Sequence, residues 1–309
     1  MGNLEKYLDR KVSELIVANP PCLSEPLRER HRIYAAMLFA LAAAYFNHKK
    51  DGPAASYPFA PDLTSEASLG GYLGHNIAAV AVDHRGHVLD FSFNHNRIFN
   101  SSVEHAESRL IRRIFSLAQV HDSWNDIPGE TPRKYGTTLS DVTVYTTLES
   151  CSQCTGIMTL GSVSAVVYLQ DDPGMYKIGN IIHNLTVGQE YLAAPAPISG
   201  ADIDFPPYHQ LNQGFAAFAV SQEAGQGPPF SISVDGKHKY SSSITSFLST
   251  ASAYEAFRAG QEILNSMTLA HPDHAPHGDA LTNSQALHEA RDFWHYAATS
   301  GKRGTPHRM

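Results

Sequence analysis

Cysteine, positive charge and long apolar runs are all in short supply in this chain, and each shortage excludes something. Three cysteines in 309 residues cannot build a disulfide framework, so a small secreted scaffold is excluded and a reducing, cytoplasmic setting is expected. Lys and Arg number 23 against 30 Asp and Glu, a formal charge of −7. That balance argues against a surface coated in positive charge for duplex binding, although a local basic groove stays open. The longest apolar run, Ile33 to Phe46, is about 14 residues, short of the roughly 20 a membrane-crossing helix needs. Met1 to Arg10 is polar and lacks the apolar centre of an export signal. Repeats and coiled-coil heptads are missing as well. What remains is 42% hydrophobic and 10% aromatic, a composition with enough apolar material for a folded core.

The periodicity divides the chain into three parts. Residues 1–70 read as a helical N-terminal extension. Leu4, Leu8, Val12 and Leu15 share a helical spacing that Pro20-Pro21 ends, and a second, buried helix is capped by Ser24 and runs to about His48. Residues 71–187 change character. Asn76 to Phe93 reads as a hairpin, 104–120 as an amphipathic helix, 142–148 as a β-branched strand, 151–161 as a helix and 165–169 as a strand. This β-β-α-β-α-β order predicts a three-layer α/β/α sandwich with a mixed central sheet. Residues 188–309 read as a loop-rich and helical C-terminal region packed on that core. Prolines 195, 197, 206 and 207 suggest a connection there, a hairpin is expected to turn at Asp235-Gly236, and helices are expected over 243–268 and 284–298.

Chemistry concentrates in two short segments. His105-Ala106-Glu107 opens the helix at 104–120, and Cys151-Ser152-Gln153-Cys154 follows a strand and opens the next helix. A Cys-x-x-Cys at a helix start aims both sulfurs at one point, where the helix dipole favours thiolate. Two thiolates and an imidazole, His105, Cys151 and Cys154, supply three ligands of a tetrahedral zinc ion and leave a fourth position open. An open position marks a catalytic site, since structural zinc is closed by four protein ligands. Zinc makes hydroxide available near pH 7. A carboxylate beside it, Glu107, can carry protons without being a ligand.

With both segments in this order, the chain resembles the cytidine deaminase-like superfamily of zinc-dependent nucleobase deaminases, whose signature is H-x-E followed by P-C-x-x-C. Thr147-Leu148-Glu149 before the cysteines is similar to the branch that holds tRNA adenosine deaminases and guanine deaminases. The resemblance covers roughly residues 74–185. It implies one zinc ion per chain on His105, Cys151 and Cys154, proton transfer by Glu107, and base contacts from Asn94 and from the chain at Ser150 and Cys151. Serine stands at 150 where the family has proline; it can cap the helix in proline's place.

The implied activity is hydrolytic removal of an exocyclic amine, with ammonia released, from a free base, nucleoside or nucleotide, leaning toward purines. Two alternatives stay open: a polynucleotide deaminase acting on tRNA or single-stranded DNA, and a non-catalytic module in which zinc only holds the fold. A small-molecule partner is preferred, a homo-oligomer is allowed, and no membrane partner is expected. Arg109, Arg112 and Arg113 read as a solvated helix face or as phosphate contacts. His271, His274 and His277 lie among prolines and read as a surface loop. Phe293, Trp294 and Tyr296 are expected to pack in the core, with closure over the pocket as the second reading.

Overall fold

β-branched and alanine-rich runs in the middle of the chain build one five-stranded sheet. The computed structural model describes residues 10–17, 21–46, 74–96, 99, 101–124, 138–188, 192–225, 231–232, 238–239 and 241–300. Its strands are β1 (Ala78–Val82), β2 (Val88–Phe93), β3 (Thr143–Thr146), β4 (Ala165–Tyr168) and β5 (Ala196–Ser199), in the order β2-β1-β3-β4-β5. β1 pairs antiparallel with both β2 and β3, whereas β3, β4 and β5 run parallel. The helices are α1 (Val12–Ile16), α2 (Glu25–Ala44), α3 (Ala106–Trp124), α4 (Ser152–Leu160), α5 (Ile178–Thr186), α6 (Pro206–Glu223), α7 (Ile244–Phe247), α8 (Ala251–Ser266) and α9 (Asn283–Ser300). A two-stranded ribbon, Ser231–Ile232 with His238–Lys239, stands apart from the sheet.

Strand alternation separates the two faces of the sheet. Tyr145 on β3 points to one face, where it meets His31 and Tyr34 of α2. Its neighbour Thr146 points to the other and hydrogen-bonds Glu107 of α3. On β2, Phe91 meets Phe293 of α9 edge-on, while Asp90 pairs with Arg113 of α3. Helices therefore cover both sides, in the three-layer mixed arrangement expected from the element order.

α2 is the pillar of one layer. From Ile33 to Ala43 every side chain is buried, as a helix apolar on all sides requires. It packs against β1 and β3 on one side and against α8 and α9 on the other. Phe39 makes edge contacts with Phe205 and Phe257. Gly260 lets α8 approach closely, since a Cβ there would collide with Phe39. The polar end of α2 is tied to the rest of the fold. Arg30 donates to the carbonyls of Leu281 (2.7 Å) and Arg85 (3.1 Å), and Glu29 accepts from the backbone of Ala270 and His271.

The elements depart from the sequence reading in instructive places. β5 and α6 occupy a stretch read as a proline-rich connection. β5 lies at the sheet edge, where Pro197 is tolerated, and Pro206-Pro207 begin α6, where a missing N–H costs nothing. The helix expected over 243–268 is two: α7 is capped by Ser243, and α8 restarts with the Thr250 hydroxyl accepting from Ala253. α9 is capped not by Ser284 but by Thr282, in a reciprocal pair with Gln285. Ser24 does precede α2, yet its side chain makes no capping bond. Leu4, Leu8, His48 and the turn at Asp235-Gly236 lie outside the described residues.

His31 gives the pillar a pH signature. Burial, and next the Arg30 charge, hold its imidazole down at about 4, and Nδ1 lies 2.8 Å from the Tyr145 hydroxyl. Between the ordinary 6.5 and about 4 the unfolded chain therefore binds a proton that the folded chain refuses. Stability present above that window is lost as the pH falls through it. Thermal unfolding followed from neutral pH to pH 4 should show a larger drop for the wild type than for His31→Gln. Parallel curves would contradict the assignment.

Candidate metal centre

Two helix N-termini meet on the α3 side of the sheet. α3 starts at Ala106, so His105 sits just before it, and Cys151 is the N-cap residue of α4, in extended conformation. The His105 Nδ1 lies 3.4 Å from Cys151 Sγ and 3.6 Å from Cys154 Sγ, and the two sulfurs are 3.6 Å apart. A tetrahedral zinc ion with ordinary bond lengths places its sulfur and nitrogen ligands roughly 3.6 Å apart and its two sulfurs roughly 3.8 Å apart. The three donor atoms thus already stand at the spacing such an ion requires, and the donor set, two sulfurs and an imidazole, is one that zinc prefers.

Proton positions follow from the same proximity. The Cys154 contact, partly opposed by burial and aided by His105, lowers the Cys151 thiol to about 4. Cys154, which faces that sulfur and Glu107 in a buried position, is pushed well up. His105 is raised, chiefly by its bond to the Cys151 sulfur. This is an anionic, imidazole-flanked pocket suited to a cation.

Glu107 lies in the first turn of α3 and is 3% exposed. Its Oε2 lies 3.4 Å from Cys154 Sγ, and its Oε1 lies 3.1 Å from the hydroxyls of both Ser150 and Thr146. The Thr146 hydroxyl is also 3.1 Å from the Leu148 carbonyl. A hydroxyl has one proton to donate, and the Thr146 proton is shared between Glu107 Oε1 and the Leu148 carbonyl. Burial pushes the Glu107 carboxyl above the usual carboxylate range. Glu149, also buried, is raised to about 7 by burial; one of its oxygens accepts from the Asp172 amide and the other has no partner among the described residues.

The remaining predicted residues take definite places. Asn94 is 2% exposed; its Oδ1 accepts from the Ala106 amide at 2.7 Å and so caps α3, while its buried Nδ2 has no partner among the described residues. Ser150 is buried and bonds Glu107, a partner that the family's proline could not supply. Arg109 and Arg112 both bind Glu104, and Arg113 binds Asp90. Thr146 escaped the sequence reading. Its signal is the alternation of β3, which aims the residue after Tyr145 at the opposite face. Phe293 is buried and Trp294 packs against the core, but Tyr296 is 36% exposed.

The structure thus holds a half-buried three-point grip for a metal with a buried carboxyl against it. Residues 59–170 match the family model described as the cytidine and deoxycytidylate deaminase zinc-binding region. Among solved structures, a tRNA:A34 deaminase studied for A-to-I editing is 23% identical, with 40% of this chain and 82% of that chain covered and a TM-score of 0.30. Guanine deaminase from Bacillus subtilis is 23% identical, with 32% and 53% covered and a TM-score of 0.26. Guanine deaminase from Nitrosomonas europaea is 18% identical, with 50% and 80% covered and a TM-score of 0.30. No curated protein matches the chain. These structural likenesses leave the substrate open. No helix among the described residues is long and apolar enough to cross a membrane.

All three donors are needed for tight binding, and the sulfurs bind as thiolates. A Cys154→Ser variant dialysed against buffered zinc near neutral pH should retain less than about a tenth of the wild-type metal, as measured by elemental analysis. Undiminished loading would show that the grip lies elsewhere.

Proposed function

We propose that the protein hydrolyses the exocyclic amine of a small nucleobase compound (a free base, nucleoside or nucleotide, leaning toward purines) and releases ammonia. A zinc ion on His105, Cys151 and Cys154 supplies Lewis acidity that makes hydroxide available near neutral pH. Glu107 does the proton work. With Oε1 engaged by Ser150 and Thr146, Oε2 faces the sulfur pair. There it accepts a proton from the attacking water and delivers it to a ring nitrogen, then takes the second proton from the newly added hydroxyl and gives it to the departing amine. A carbon–oxygen bond forms, a carbon–nitrogen bond breaks, and the carboxyl returns to its starting state.

Asn94 supports the base reading. A buried amide donor without a partner costs about 1–3 kcal/mol, and the Asn94 Nδ2 is such a donor at the start of the helix that carries His105 and Glu107. We assign it to an acceptor on the substrate ring. The polynucleotide alternative needs cations around the pocket to hold flanking phosphates. Arg109 and Arg112 are engaged by Glu104, and Arg133, Lys134, Lys302 and Arg303 lie outside the described residues. The observation that carries the proposal is the contact of the Glu107 carboxyl with the Cys154 sulfur, inside the three-ligand grip.

Glu107→Gln separates chemistry from metal binding. Ammonia release, screened over bases, nucleosides, nucleotides and short single strands, should fall about 10²–10⁴-fold in the variant while zinc content stays at the wild-type level. Retained turnover refutes the proton role. Wild-type turnover confined to single strands favours the polynucleotide alternative. A zinc-loaded wild type inert toward every substrate favours the structural module.

A further inference from the structure

A second group of metal-ligating side chains stands away from the zinc centre: the ligand atoms of His84, His277 and Asp279 all lie within 4.8 Å of one another. His84 belongs to the turn between β1 and β2, and His277 and Asp279 to the connection between α8 and α9. The two backbones are fixed relative to each other. The Leu281 amide donates to the Arg85 carbonyl at 2.8 Å, and the buried Arg30 binds both of those residues' carbonyls.

The contacts of His277 are unusual. Its Nε2 lies 2.9 Å from the His84 carbonyl oxygen, which can only accept, so Nε2 carries the proton. In the neutral ring Nδ1 then presents a lone pair to Asp279 Oδ1, 2.6 Å away and also an acceptor. At that separation the pair shares a proton, and a metal ion that displaced it would hold the two atoms about 3.3 Å apart. The His84 ring stacks on His277, with centroids 5.1 Å apart. His84 Nδ1 lies 3.0 Å from Asp141 Oδ2. An imidazole that donates one N–H to a carboxylate offers its other nitrogen in a fixed orientation, the arrangement that supports histidine ligands in metal sites. Arg85 holds the second oxygen of Asp279 at 3.1 Å, leaving Oδ1 to His277.

We propose that His84, His277 and Asp279, with Asp141 orienting His84, form a second, surface site for a divalent transition metal such as zinc, which pins the β1–β2 turn to the α8–α9 connection. Two imidazoles and one carboxylate suit zinc, nickel or copper better than calcium or magnesium. Two imidazole nitrogens on one tetrahedral ion stand about 3.3 Å apart, and these side chains, each between 38% and 58% exposed, are free to close to that distance. Water completes the shell. With no thiolate and with open solvent around it, the site binds more weakly than the His105 centre. The histidine cluster read from the sequence is thereby redrawn: His277 takes part, whereas the amide of His271 binds Glu29 and joins its loop to α2.

Zinc uptake tests this on full-length protein whose His105 centre is already filled. Dialysis against rising zinc with elemental analysis should give a second equivalent in the wild type and a matching rise in melting temperature. His277→Ala combined with Asp279→Asn should stop at one equivalent and lose that rise, and Asp141→Asn should weaken the second equivalent by about 10–100-fold. A wild type that stops at one equivalent up to about 100 μM free zinc, well beyond what a protein site needs, overturns the proposal. So does a double variant that still takes up the second equivalent as the wild type does.

Discussion

One imidazole and two sulfurs within 3.6 Å of each other place an electrostatic demand that the surrounding fold has to meet. A thiolate in a half-buried position is costly, and it is stabilised here by the starts of two helices. α3 and α4 aim their N-terminal ends, with partial positive charge, at the same volume. That convergence needs β1 and β3 side by side, because α3 follows the hairpin of β1 and β2 while α4 follows β3. The antiparallel pairing of β1 with β3 is thus what joins the histidine segment to the cysteine segment.

The other face of the sheet supplies rigidity. β3 is shared between the two faces: Tyr145 is held by His31 and Tyr34 of α2, and this sets the strand position from which Thr146 reaches Glu107. α2 is in turn clamped at its polar end by Arg30 and Glu29, which bind the chain at Arg85, at 270–271 and at 281–283. Residues on both sides of the matched segment 59–170 thus support the strand from which Thr146 reaches the Glu107 carboxyl. The same Arg30 contacts fix the backbones that carry His84, His277 and Asp279, so one buried cation organises a surface far from the centre.

How much of this was legible in the sequence follows from how local each signal is. His105, Glu107, Cys151 and Cys154 could be read because metal and proton chemistry admit few residue types, at spacings that a single helix start dictates. The hairpin, α3, β3, α4 and β4 were legible for a similar reason, since their periodicities are short and cleanly bounded. β5 and α6 were not. Their prolines read as breakers, and only the edge position of β5 and the first-turn position of Pro206-Pro207 make them harmless. Thr146, the engagement of Arg109 and Arg112 by Glu104, and the bond from Ser150 to Glu107 depend on side-chain directions across elements, which spacing along the chain does not encode. The pairing of His84 with His277, 193 residues later, is of the same kind.

X-ray absorption at the zinc edge, on protein carrying one equivalent of zinc, tests the central claim most directly. The account predicts two sulfur neighbours at about 2.3 Å and two nitrogen or oxygen neighbours at about 2.0–2.1 Å, one of them from solvent. A shell with three sulfurs, which would recruit Cys22, or a shell with no sulfur at all, would contradict it.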